Sequence, residues 1–177
     1  MALTFFWRGE GTALDATHDY SAGATTMTLN GAASLSPTAV KIGTNGVLNT
    51  DGSDYYYCSS ASIVSIDQGS MAWWVKQVTT LTTAGNPLCI GAEEAAYTTT
   101  DNYLFIRSAS GGEVQAAIRS TGQALLTKAT TAANMVADTW YFVTMSWHLS
   151  ADKLRIRVYD SAGTLVDEKD NDSDLTD

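Results

Sequence analysis

The feature that most constrains this chain is an apolar period of two, interrupted at short intervals by turn residues. In residues 153–159 (KLRIRVY), Leu154, Ile156 and Val158 fall on one side of an extended backbone, and Arg155 and Arg157 on the other. Residues 113–119 (EVQAAIR) place Val114, Ala116 and Ile118 on one face. Residues 71–75 alternate Met71, Trp73 and Val75 against Ala72 and Trp74. The run from Trp140 to Trp147 is apolar on both faces, the pattern of a strand buried between layers. Further strands are predicted at 25–29, 39–42, 54–58, 88–90, 103–107 and 164–166, and 124–137 reads as strand then loop. Asn30-Gly31, Asn45-Gly46, Asp51-Gly52, Gly85-Asn86-Pro87, Gly111-Gly112 and Ser161-Ala162-Gly163 separate them. About a dozen short strands at such spacing predict an all-β fold, an antiparallel β-sandwich of the jelly-roll kind.

Charge then narrows the function classes. The 177 residues carry a net charge of -9 with a pI near 4.4, which speaks against nucleic acid, since little here would displace phosphate counterions. Charged residues make up 16%, against roughly a quarter in ordinary domains. The polar surface therefore falls to Thr, Ser, Asn and Gly, as in many extracellular and virion β-proteins. No apolar run approaches the roughly 18 residues of a membrane span. From Asp167 to Asp177, six acids stand against Lys169, leaving -5. The expected division is a sandwich over 1–166 and an acidic tail or linker over 167–177. Met1 leads straight into Leu3, Phe5, Phe6 and Trp7, then Arg8 and Glu10, which reads as a first strand and not as a signal peptide. Cys58 and Cys89 leave two readings open, a disulfide or two buried thiols. His18 and His148 stand apart from both, so no structural zinc site is expected.

Three segments, in order, resemble the laminin G-like, concanavalin A-like lectin and glucanase superfamily. They are GTNGVLNTDGSDYYYC over 43–58, GSMAWWVK over 69–76 with Trp73 or Trp74 at the family's Trp position, and DTWYFVTMSWHLSADKLRIRVYDSAG over 138–163. The opening FFWRGEGTALDATHD over 5–19, and the segments 101–107 and 113–119, are similar to the family's start and middle strands. The likeness breaks at the end. Asp170-Asn171-Asp172-Ser173-Asp174 stands where members close with two further strands, so the chain reads as a fragment, or as a sandwich whose exposed edges favour self-association.

The resemblance implies a sugar-binding module, and the residues supply candidates. Aromatic rings match the C–H face of a sugar, and Tyr55, Tyr56 and Tyr57 form the densest cluster, with Tyr97, Tyr103 and Trp147 as weaker candidates. Trp73, Trp140 and Phe142 are assigned to the core. Calcium takes 6–8 oxygen ligands; Asp15 and Asp19, Asp51 and Asp54, and Asp101 with Asn102 can supply them, at edges where laminin G-like domains hold calcium. The same residues are also ordinary turn caps. Catalysis is not expected. The glucanases of this superfamily use an E-x-D-x-x-E strand, and the chain has five Glu, of which Glu93 and Glu94 are neighbours that would face opposite ways.

The expected function is a non-catalytic structural or adhesive subunit of an extracellular or virion-surface assembly, with glycan recognition and with homo-oligomer formation through sheet edges. A stand-alone lectin-like domain is the alternative, and a polysaccharide hydrolase or lyase domain the weaker one.

Overall fold

The computed structural model describes residues 28–30, 34–36, 41, 46–48, 55–57, 68–77, 92–93, 103–108, 113–119, 126–129, 135–148, 151 and 153–170. Twelve strands lie in them: β1 (Thr28–Asn30), β2 (Ser34–Ser36), β3 (Gly46–Leu48), β4 (Tyr55–Tyr57), β5 (Gln68–Lys76), β6 (Ala92–Glu93), β7 (Tyr103–Ser108), β8 (Val114–Arg119), β9 (Leu126–Ala129), β10 (Trp140–His148), β11 (Lys153–Tyr159) and β12 (Leu165–Asp170). Among the described residues all pairings are antiparallel and there is almost no helix. Among the described residues no helix is long and apolar enough to cross a membrane.

The chain divides into two compact units, Met1–Val64 and Ser65–Asp177. In the first, β1 pairs with β4 and β2 with β3. The second holds two four-stranded sheets, ordered β12-β11-β10-β5 and β6-β7-β8-β9. The period-two pattern locates most of these strands. The segment expected at 153–159 is β11 residue for residue, and 140–147 and 71–75 fall inside β10 and β5. The segments expected at 39–42 and 88–90 lie outside the described residues, Lys41 apart.

Register explains the core of the β12-β11-β10-β5 sheet. Val143 faces Val158 on one side and Trp73 on the other; Met145 faces Ile156 and Met71; Trp147 faces Leu154 and Gly69. Tyr141, Val143, Met145, Trp147, Leu154, Ile156 and Val158 are all buried. Burying each aliphatic side chain stabilises the fold by about 1.5–3 kcal/mol. Trp147 fits because its register partner is a glycine: a Cβ added at Gly69 would stand 2.7 Å from Trp147 Cη2 and nearer still to Cζ2. Val114 and Ala116 of β8 are fully buried, so the second sheet also covers one face.

The boundary drawn at 167 falls inside β12, which pairs with β11 from Leu165 to Asp170. Asp170 accepts two hydrogen bonds from Arg155, one from Nε and one from Nη2 at 2.7 Å, and Glu168 accepts one from Arg157 Nε. The hydrogen bond that Arg155 donates to Asp170, and secondarily the charge of Asp170, raises the Arg155 pKa above its ordinary value. The charges read as a mark of a solvated tail are thus partners for the solvent-facing arginines of β11. The other parity of β12 places Asp167 and Lys169 opposite the buried Val158 and Ile156.

Two loops hold the sheet's ends. Before β10, Asp138 adopts a positive φ of 57°, a conformation that Asp tolerates better than most residues. Its N–H donates to the Gln77 carbonyl at 2.7 Å, and its carboxylate accepts from Lys76 Nζ at 2.8 Å, tying the end of β5 to the start of β10. Between β11 and β12, Asp160 Oδ1 accepts from the N–H groups of Ala162 and Thr164 at 2.9 and 2.8 Å. Gly163 takes a φ of 85°, outside the range comfortable for side-chain-bearing residues, and donates to the Asp160 carbonyl.

Candidate binding face

The face of the β12-β11-β10-β5 sheet opposite the buried Val143, Met145 and Ile156 is divided by residue type. Register aligns Trp74 of β5, Phe142 of β10 and Tyr159 of β11 in one row. Trp74 and Phe142 have ring centroids 5.1 Å apart with planes tilted by 47°; Phe142 and Tyr159 are 6.3 Å apart and tilted by 44°. Tyr159 is followed across the ladder by Leu165, where a register shift between Val158 and Tyr159 marks a bulge, and Leu165 and Val166 are 48% and 40% exposed. The next rows are polar: Ala72, Thr144, Arg157 and Glu168, then Ser70, Ser146, Arg155 and Asp170. Beyond the aromatic row, Lys76 Nζ sits 5.9 Å from the Trp140 ring centroid, within the range of a cation–π contact.

Trp74, Phe142, Thr144, Tyr159 and Gly163 line a shallow hollow of about 260 Å³. Its wall at Gly163 is set by the Asp160-capped turn, and a Cβ built at Gly163 would meet nothing within 4 Å. Chemically the site offers three aromatic rings and two hydroxyls. It suits a ligand with an apolar face and hydroxyl edges.

The residues singled out from sequence fall differently. Trp147 is 5% exposed and belongs to the buried face, so its ring is not offered to a ligand. Phe142 moves the other way: expected in the core, it is half-buried on the open face, because its parity is that of Thr144 and not of Val143. Trp140 shares that parity, and Trp73 lies on the Val143 side. Tyr55, Tyr56 and Tyr57 form β4 and Tyr103 opens β7; their side chains lie outside the described residues, as does all of Tyr97. The calcium candidates Asp15, Asp19, Asp51, Asp54, Asp101 and Asn102, and Cys58 and Cys89, also lie outside them. Among the described residues no group of three or more His, Cys, Asp or Glu is gathered as a metal site. Trp74 and Tyr159 were not singled out as ligand residues. The signal was in KLRIRVY: the parity that turns Arg155 and Arg157 to solvent also turns Tyr159.

No family model matches this chain, and no curated protein does. It is similar to a solved structure, the crystal structure of a protein of unknown function from Shewanella oneidensis, with a TM-score of 0.55 and 14% identity, over 94% of this chain and 68% of that one. At that identity the likeness is one of fold, and it agrees with an all-β, antiparallel architecture.

Proposed function

We propose that this chain is a non-catalytic β-sandwich module of the laminin G-like, concanavalin A-like kind, which binds glycan and serves as an adhesive subunit at an extracellular or virion surface. One observation carries the reading: Trp74, Phe142 and Tyr159 form a continuous row on the open face of a sheet whose other face is core. Trp74, Phe142 and Tyr159 are each half-buried, so part of every ring stays in water, and a continuous apolar patch of this kind marks a surface that a ligand can use. The sandwich architecture is supported by two sheets that each bury one face. The non-catalytic reading rests on the sequence, which lacks the E-x-D-x-x-E strand of the glucanases, and among the described residues the hollow is lined by no carboxylate or imidazole.

Of the two parts of this role, adhesion is better supported than assembly through edges. Asp167 and Lys169 occupy the inward parity of edge strand β12. Inward-pointing charge is a device that blocks edge-to-edge pairing.

The test is retention on a glycan array by the wild-type chain and by Trp74→Ala. We expect Trp74→Ala to weaken retention by at least tenfold, about 1.4 kcal/mol, while the chain stays folded by circular dichroism with a melting temperature somewhat lowered by the loss of the Trp74–Phe142 ring contact. His148→Ala, an exposed change at the far end of the same face, should bind as wild type does. Equal retention by Trp74→Ala and wild type would sink the reading.

A further inference from the structure

The aromatic row has a direction and a twist, and both restrict what it can hold. It crosses the strands, with one ring each on β5, β10 and β11 and Leu165 of β12 opposite Tyr159. It therefore crosses the four strands of this sheet. A hollow of about 260 Å³ falls below the roughly 300–1,000 Å³ of pockets that engulf a small ligand. Contact is thus spread along the row and not concentrated in one pit.

The ring planes are tilted by 47° between Trp74 and Phe142 and by 44° between Phe142 and Tyr159, so the three rings do not lie in one plane. Neighbouring strands are themselves rotated by about 20–25°, so the row is a twisted ramp. A flat ligand surface meets one ring at a time on such a ramp, whereas a chain that turns as it advances meets all three.

Charge restricts the ligand further. Among the described residues, no charged side chain lines the hollow. The cations that flank it in register are engaged: Lys76 holds Asp138, and Arg157 holds Glu168. An anionic chain would have to displace a carboxylate from one of them.

We infer that this row takes an internal stretch of a neutral, soluble, twisting glycan chain laid across the strands, with about one sugar ring on each of Trp74, Phe142 and Tyr159. This rests on the glycan-binding reading above and names the class of glycan.

The experiment is an array of soluble oligosaccharides of one to six units, neutral in one half and bearing uronate or sulfate groups in the other, with microcrystalline cellulose as the flat surface. Neutral chains should bind, with affinity rising at least tenfold from one unit to three and then levelling. Trp74→Ala and Tyr159→Ala each remove an end ring, so each should move the plateau from three units to two. Tyr159→Phe keeps the ring and should keep the plateau at three.

A preference for the anionic half, equal affinity for one and three units, or retention on cellulose without binding to soluble chains would each overturn the inference while leaving glycan binding in place. Retention of nothing on the array would remove the glycan reading and this inference together. A plateau that stays at three in both alanine variants would show that the rings do not count the sugars, and would overturn the inference as well.

Discussion

Replacing Trp147 with alanine will lower the folding stability by about 3–5 kcal/mol, the usual cost of removing a buried large aromatic side chain. Whole domains are stable by only about 5–15 kcal/mol, so the variant should sit near its unfolding threshold at room temperature. The ring is 5% exposed, shares the inner face with Val143 and Met145, and occupies the space above Gly69. The partner site gives the complementary result. Gly69→Ala places a Cβ against the indole and should cost about 1–3 kcal/mol by overpacking, more than the roughly 0.5–1 kcal/mol that alanine gains over glycine in a strand. In the Trp147→Ala background that cost should vanish, because the clash has gone. Urea denaturation of the four chains in this double-mutant cycle measures the coupling directly. Additive effects would mean that the two residues do not touch. A Trp147→Ala chain that keeps its urea midpoint would return the ring to the list of ligand contacts.

Ile156→Lys will have the larger effect and should yield no folded chain. Ile156 is fully buried between Met145 and the edge strand, with Leu154 and Val158 at the adjacent inward positions of its own strand. An ammonium group there has no water and no paired carboxylate, a penalty of several kcal/mol. The informative contrast is its register neighbour. Lys169 is half-buried on β12, one strand further out. Lys169→Ile should change stability by no more than about 1 kcal/mol, as partly exposed substitutions do. It should, however, raise the apparent mass in solution as concentration increases, because it removes an inward charge that guards a sheet edge. Circular dichroism reads the first variant and light scattering the second. A Lys169→Ile chain no more associated than wild type at every concentration would show that the charge does not guard the edge.

Much of this architecture was legible in the sequence for a simple reason. A strand with one wet face and one dry face writes its orientation into alternate residues, as KLRIRVY does for β11. The same rule failed at β10. There Trp140, Phe142 and Trp147 are all aromatic, and composition alone does not say which parity is core. Only pairing with β11 settles it, since Val143 lies opposite Val158 and Phe142 opposite Tyr159. The end of the chain misled for a different reason. An acidic run looks solvated when read by itself, and only the neighbouring strand reveals that Asp170 and Glu168 meet Arg155 and Arg157. The aromatic row was hidden by the same property: its three rings come from three strands and are adjacent only through register.

The strand order has a consequence for the path by which the chain folds. β10, β11 and β12 are consecutive, with four residues between the first two and five between the second two, whereas pairing β5 with β10 must bring together strands separated in sequence by β6, β7, β8 and β9. Loop-closure entropy grows with length, and long-range pairings are formed late. The meander of β10 to β12 is therefore the nucleus, and β5 is added to it near the end. Refolding kinetics check this order: Val158→Ala in the meander should slow folding, while Val75→Ala on β5 should mainly speed unfolding. The reverse pattern would put the long-range pairing first. Because Trp74 rides on β5, this order completes the row of three rings only when β5 joins the sheet.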